Sequence, residues 1–237
     1  MLKAFLKKVP FLYTLSLYYK HSLLAKKTNK AFLGYLTNVA EPKLQLGAGA
    51  NELAGWFNTD YFNRPAIHFL DVTKKFPFPA NTFTCIFTEH QIEHIKYSDA
   101  LFMLTESFRT LQPGGVVKVV TPNLQKYVSY YTEGKLSSEL IKTHVNNWIY
   151  SGFYNAINYV PVDEYYDAHF INDIFFNYGH CFIYDERALI SLLKKVGFIN
   201  INTGQSSYPE FENINSHNSE FDSIFNLTVT AEKPDKL

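Results

Sequence analysis

Seven short apolar runs punctuate the chain, each bounded by glycine, proline, asparagine or aspartate. They predict strands over 43–46, 57–59, 67–70, 84–88, 116–121, 199–203 and 225–231. Between them lie stretches of helical spacing, including 98–111 and 185–196. In the second, Leu189, Leu192, Leu193 and Val196 recur on one face, Asp185 suits an N-cap and Gly197 a C-terminal stop. Strands that alternate with helices predict a mainly parallel sheet flanked by helices. Two segments break the rhythm. The link from Gly49 to Trp56 is shorter than the dozen or so residues a full crossover helix needs, so about one helical turn is expected there. Residues 123–180 carry Tyr127, Tyr130, Tyr131, Trp148, Tyr150, Phe153, Tyr154, Tyr159, Tyr165 and Tyr166, an aromatic insertion that serves either as a packed lid or as a substrate-facing wall.

The 237 residues suffice for one sizeable core, and 46% hydrophobic with 19% charged residues is the balance of a globular protein. A formal net charge of zero argues against a nucleic-acid partner, since phosphate-driven binders are basic. Cys85 and Cys181 stand far apart without metal-ligand spacing, which predicts two reduced thiols and a cytoplasmic location. The charge is unevenly spread. Residues 1–40 hold Lys3, Lys7, Lys8, Lys20, Lys26, Lys27 and Lys30, with no acid before Glu41, and leucines and aromatics lie between them. No apolar run there is long enough to span a bilayer. The segment reads as a basic helical unit ahead of a domain at 41–237, interrupted or restarted at Pro10. It either caps the core or rests peripherally on an anionic membrane.

The chemistry-bearing residues follow the predicted strands. Gly47-Ala48-Gly49 follows the first. Gly55-Trp56-Phe57-Asn58-Thr59-Asp60 spans the second, and Phe76-Pro77-Phe78, Glu93-His94-Ile95 and Leu111-Gln112-Pro113-Gly114-Gly115 come after. A block from His180 to Gly197-Phe198 closes the series. In this order the motifs resemble class I S-adenosylmethionine-dependent methyltransferases, in particular a branch associated with polysaccharide biosynthesis. The resemblance runs over residues 41–231. It implies an α/β, Rossmann-like doubly wound seven-stranded sheet, mostly parallel with an antiparallel last strand, and helices on both faces. It also implies S-adenosylmethionine as cofactor and no metal. The implied acceptor is a small-molecule or glycan-related hydroxyl or amine.

Ligands of such sheets sit beyond the carboxyl ends of the strands. There the resemblance implies cofactor contacts from Gln45, Gly47, Gly49, Asp60, Asp71 and Glu89. Gly47 and Gly49 would let bare backbone approach a ligand. Asp60 can accept both hydroxyls of a ribose, or simply close a turn. Asp71 would lie near an adenine amino group, or form an Asx turn with Thr73. Glu89 would favour a sulfonium nearby. His90 and His180 are the candidate general bases, although a histidine bonded to a backbone carbonyl is the plainer reading of His180. Glu89, His90, Glu93 and His94 superficially resemble a metal cluster but lack the His-Glu-x-x-His order. Asp163, Glu164 and His169 read as a solvated loop face. The Leu111–Gly115 motif reads as a helix stop and sharp turn.

Two positions depart from the family pattern. Gln45 stands where an acid is usual, and Asn51 replaces a third glycine. They keep open a second reading, a binding module that retains the fold without catalysis. The acid-free amino-terminal segment motivates a third, a membrane-peripheral enzyme with a lipid-linked acceptor.

Overall fold

The computed structural model describes residues 10–135, 139–144, 167–204, 208–211, 214 and 219–235. Lys3, Lys7 and Lys8 fall outside the described residues. So does the part of the aromatic insertion that holds Trp148, Tyr150, Phe153, Tyr154, Tyr159, Asp163, Glu164, Tyr165 and Tyr166.

The seven strands are β1 (Lys43–Leu46), β2 (Phe57–Asp60), β3 (His68–Phe69), β4 (Phe83–Glu89), β5 (Leu111–Pro122), β6 (Ile199–Thr203) and β7 (Asn226–Glu232). They form one sheet in the order β3-β2-β1-β4-β5-β7-β6. Every pairing from β3 to β5 is parallel, and β7 runs antiparallel to both of its neighbours. The sheet is therefore the mostly parallel one expected, with the last strand reversed.

Alternation along the strands separates two packed layers. Leu44, Leu46, Ile86, Val117 and Val119 belong to the main core, with Phe32, Met103 and Leu192. Those three come from helices α1 (Pro10–Leu36), α2 (Tyr97–Thr110) and α6 (Glu186–Val196). Cys85, Phe87, Val116 and Val120 face the other way and pack with Phe211, Leu53 and Trp56. A third cluster gathers Tyr127, Phe170, Phe221 and Phe225. It is built from α3 (Leu124–Thr132), α5 (Asp167–Asn172) and α7 (Glu220–Phe225); a short α4 (Glu139–His144) lies alongside, where His144 stacks on Phe221 with ring centroids 3.6 Å apart.

Helix α6 has the predicted ends. The Asp185 side chain accepts from the Ala188 N–H, and Gly197 closes the helix at φ 111°. Three expectations need correction. No helical turn forms between Gly49 and Trp56. The Asn58 side chain instead bonds the Leu53 N–H, the Leu53 carbonyl and the Trp56 carbonyl, and so satisfies the backbone that a helix would have paired. The preceding helix does stop at Thr110 with Leu111 as its C-cap, as expected, but the Leu111–Gly115 motif itself belongs to β5. Phe83 pairs with Leu111 and Cys85 with Val116, so the intervening residues loop out of the ladder as a bulge. A Cβ on Gly115 would lie 2.9 Å from the Gln112 carbonyl oxygen and 3.0 Å from that of Thr84. Finally, β3 shrinks to two residues: Ile67 pairs with Arg64 in an isolated antiparallel bridge, and Leu70 lies beyond the ladder although its N–H still bonds the Asp60 carbonyl.

The Phe76-Pro77-Phe78 motif is scaffold. Both rings are buried in the core, and Arg109 clamps the Phe76 and Phe78 carbonyls while Glu106 accepts from the Phe76 N–H. Helix α1 covers the β3 edge: the Thr28 hydroxyl donates to the Phe69 carbonyl at 2.9 Å, and His21 stacks on the Phe69 ring. No helix among the described residues is long and apolar enough to cross a membrane.

Candidate active site

Beyond the carboxyl ends of β1, β2 and β4 lies a cleft of about 760 Å³. Gly47, Gly49, Asp60, Asp71, His90 and Gln91 are among its lining. Gly47 and Gly49 sit at φ 67° and 58°, in the left-handed region that glycine tolerates. At Gly47 the space is also closed: a Cβ there would lie 2.3 Å from Gln91 Cγ. At Gly49 it is open, with nothing within 4 Å. Asp60 organises this loop. Its Oδ2 accepts from the Gly49 N–H at 2.9 Å and its Oδ1 from the Phe62 N–H at 2.7 Å. Each carboxylate oxygen keeps further acceptor capacity toward the cleft. Asp71 forms the Asx turn: Oδ1 accepts from both the Thr73 N–H and its hydroxyl, and the residue still lines the cleft. Gln45 and Glu89 are not among the residues lining this cleft. Gln45 is buried in β1 opposite Phe87, and its side-chain oxygen has no partner. Glu89 ends β4 opposite Val120, where its charge raises the pKa of Lys118 against the lowering by burial.

A second pocket of about 360 Å³ adjoins the first. His90 and His94 line both, so they form the wall between them. The second pocket also gathers His180, Tyr178, Tyr127, Phe221 and Asp222. The structure thus brings both candidate bases into one cavity, although they lie ninety positions apart in sequence.

Glu93 is the hub of that wall. It is fully buried, on a single 3-10 turn, Ile92–His94. Its Oε1 faces His90 Nδ1 at 3.1 Å and its Oε2 accepts from the Thr121 hydroxyl at 3.0 Å. Its carbonyl accepts from the N–H groups of Cys181 and Phe182, which fixes the loop carrying His180. Burial raises the Glu93 pKa, but the His90 hydrogen bond and the charges of His90 and His94 outweigh it, so the carboxyl stays below its usual range. An ionised carboxylate only accepts, so His90 Nδ1 carries the proton and Nε2 becomes the basic nitrogen. His180 follows the same logic. Its Nδ1 lies 2.5 Å from the Ile174 carbonyl, which can only accept, and burial lowers the ring's pKa. His90 also holds φ 47°, in the left-handed region that is uncommon for a non-glycine residue.

Glu93, His94 and His180 each place a potential ligand atom within 4.8 Å of the others. Both Glu93 oxygens are already engaged, by His90 and by Thr121. The role of Glu93 was not legible from its spacing, although it stands in the Glu93-His94-Ile95 motif. Asp222 and Phe221 had a detectable signal: Ser219 and Asp222 form a capping box that starts α7 and so position both. His169 does not line either cavity.

Comparison with known proteins finds one matching family. The family described as "Methyltransferase domain" matches residues 28–203. Among solved structures, an S-adenosylmethionine-dependent methyltransferase from Archaeoglobus fulgidus is 11% identical with a TM-score of 0.48, covering 90% of this chain and 94% of its own. A Thermotoga maritima S-adenosylmethionine-dependent methyltransferase, described as a possible histamine N-methyltransferase, is 15% identical with a TM-score of 0.46 and coverage of 92% and 96%. Phosphoethanolamine N-methyltransferase 2 from Haemonchus contortus, in complex with S-adenosyl-L-methionine, is 15% identical with a TM-score of 0.41; 83% of this chain covers 49% of that one. No curated protein sequence matches.

Proposed function

Because the chain belongs to the methyltransferase-domain family, we propose that it moves a methyl group from S-adenosylmethionine to a hydroxyl of a small, sugar-type acceptor. The observation that carries the reading is the Glu93–His90 pair in the wall shared by the two cavities. The larger cleft suits the cofactor. Gly47 and Gly49 present bare backbone, and Asp60 retains acceptor capacity for a vicinal diol. When bound, the cofactor supplies a methyl already made electrophilic by its sulfonium.

The rest falls to the chain. The smaller pocket would seat the acceptor against Tyr127, Tyr178 and Phe221, whose faces suit sugar C–H surfaces, with Asp222 as a hydroxyl acceptor. His90 Nε2 takes the hydroxyl proton while Glu93 holds the ring in place. That is the division of roles in an oriented histidine base. His180, presenting Nε2 into the same pocket, orients a second hydroxyl. The main remaining requirement is alignment, which the two adjoining cavities supply.

Calorimetric titration with S-adenosylmethionine and S-adenosylhomocysteine tests the cofactor half. Wild type should bind at micromolar level, and Asp60→Ala about tenfold or more weaker, since hydrogen bonds to a charged group are worth about 1.5–3 kcal/mol each. Failure of well-folded wild type to bind either ligand would refute the reading in favour of the non-catalytic module. A panel of simple glycosides and amines, scored by S-adenosylhomocysteine release, tests the acceptor half. His90→Ala should lower kcat by about 10²–10⁴ while leaving cofactor affinity in place. Turnover of amines alone, or full activity in both His90→Ala and His180→Ala, would overturn the assignment.

A further inference from the structure

We propose that the outer face of α1 docks on an anionic lipid surface. The inner face of this helix is committed to the core through buried Thr28 and Phe32. At about 100° per residue, Leu15, Tyr19, Leu23, Lys26, Lys30 and Leu33 fall on the opposite side, within about 80° of arc. A helix that merely caps a core carries polar residues there. Here Leu15 is 55% exposed, Tyr19 66% and Leu33 65%.

The charge says what covers this face. Helix α1 carries Lys20, Lys26, Lys27 and Lys30 and no acidic residue, in a chain whose net charge is zero. Lys20, Leu23, Lys27 and Lys30 are among the lining of a shallow groove on it. Ammonium groups around a leucine floor match an interface of anionic headgroups over acyl chains. Lysine stems extend along the apolar layer while their heads meet phosphate. A second copy of the chain fits poorly, because a two-fold contact would set these lysines against themselves. The same helix touches the cofactor cleft: the His21 ring lies 5.4 Å from that of Tyr61, a cleft residue. His21 belongs to the inner face, so the cleft and the docking face lie on opposite sides of α1, and the inference stands whether or not the site is catalytic.

Flotation of the full chain with vesicles is the test. Vesicles of phosphatidylcholine with about 30% phosphatidylglycerol should carry the protein, pure phosphatidylcholine should not, and about 0.5 M salt should release it. A lysine near an anionic surface is worth about fivefold in partition, so Lys26→Glu with Lys30→Glu should weaken binding at least about 25-fold. Tyr19→Ser with Leu23→Ser should weaken it too, through lost apolar insertion. All four positions are exposed, so unchanged thermal unfolding serves as the folding control. Equal binding to both vesicle types, binding to neither, or undiminished binding by the lysine variant would overturn the proposal. A wild-type dimer that the lysine variant dissociates, without vesicle binding, would assign the face to a second copy instead.

Discussion

Gly47 and Gly49 share a backbone conformation but not a neighbourhood, so alanine at each separates two physical effects. Both φ values lie in the left-handed region, where an L side chain costs about 1–2 kcal/mol, offset by about 0.4–1 kcal/mol of reduced freedom in the unfolded chain. At Gly49 nothing lies within 4 Å of the new methyl, so Gly49→Ala should cost only about 1 kcal/mol. At Gly47 the methyl would stand 2.3 Å from Gln91 Cγ and 2.6 Å from Gln91 Cβ. Carbon atoms in contact sit about 3.5–4.0 Å apart, so the overlap exceeds about 1 Å. Rotating Gln91 cannot relieve it, because Cβ is fixed to the backbone, and the next residue back is the strained His90. Overpacking of this kind adds about 1–3 kcal/mol, for a total of about 2–4 kcal/mol. For a chain of this size each kcal/mol lowers Tm by about 2–4 °C. Calorimetric unfolding should therefore show a drop of about 3 °C for Gly49→Ala and a clearly larger one for Gly47→Ala. The binding order should invert relative to stability. The Gly49 methyl projects into open space at the cleft, so this nearly stable variant should still lose S-adenosylhomocysteine affinity. Equal destabilisation by the two variants would refute the steric reasoning.

Other predictions concern the wall between the cavities. The Glu93 carboxyl is held below its ordinary value of 4.5, so it stabilises the fold above that pH and loses the contribution as pH falls through its depressed value. Urea unfolding should accordingly show wild type losing stability on acidification below about pH 4.5 and Glu93→Gln a flatter dependence; parallel curves would remove the ionised-hub assignment. Since no proposed cofactor contact runs through a metal, dialysis against a chelator should leave cofactor affinity unchanged, and a loss restored by a divalent ion would instead make Glu93, His94 and His180 ligands. Burial pushes the Cys85 thiol up to about 11, whereas Cys181 is exposed. Native protein should take up one equivalent of maleimide near neutral pH, at Cys181, and rapid uptake of two would contradict the burial of Cys85.

What the chain determines by itself is what neighbouring residues decide. Apolar runs bounded by turn residues mark all seven strands, because alternation and chain reversal are encoded within a few positions. Asp185 and Gly197 mark the ends of α6 for the same reason. The glycine loop was legible as a tight turn because glycines directly after an apolar run mark a chain reversal within a few positions. Tertiary structure decided the rest. Leu111–Gly115 reads locally as a turn, yet pairing with Phe83 and Cys85 draws it into β5 as a bulge. Local length predicts a helical turn before β2, yet the Asn58 side chain takes its hydrogen bonds. Glu93 and His94 are sequence neighbours with separate fates: one is sealed beneath the wall and the other lines both cavities. Above all, His180 joins His90 in one pocket because the Glu93 carbonyl captures the N–H groups of Cys181 and Phe182. A pocket shared by residues ninety positions apart exists only after the chain has closed on itself, and local spacing carries no record of it.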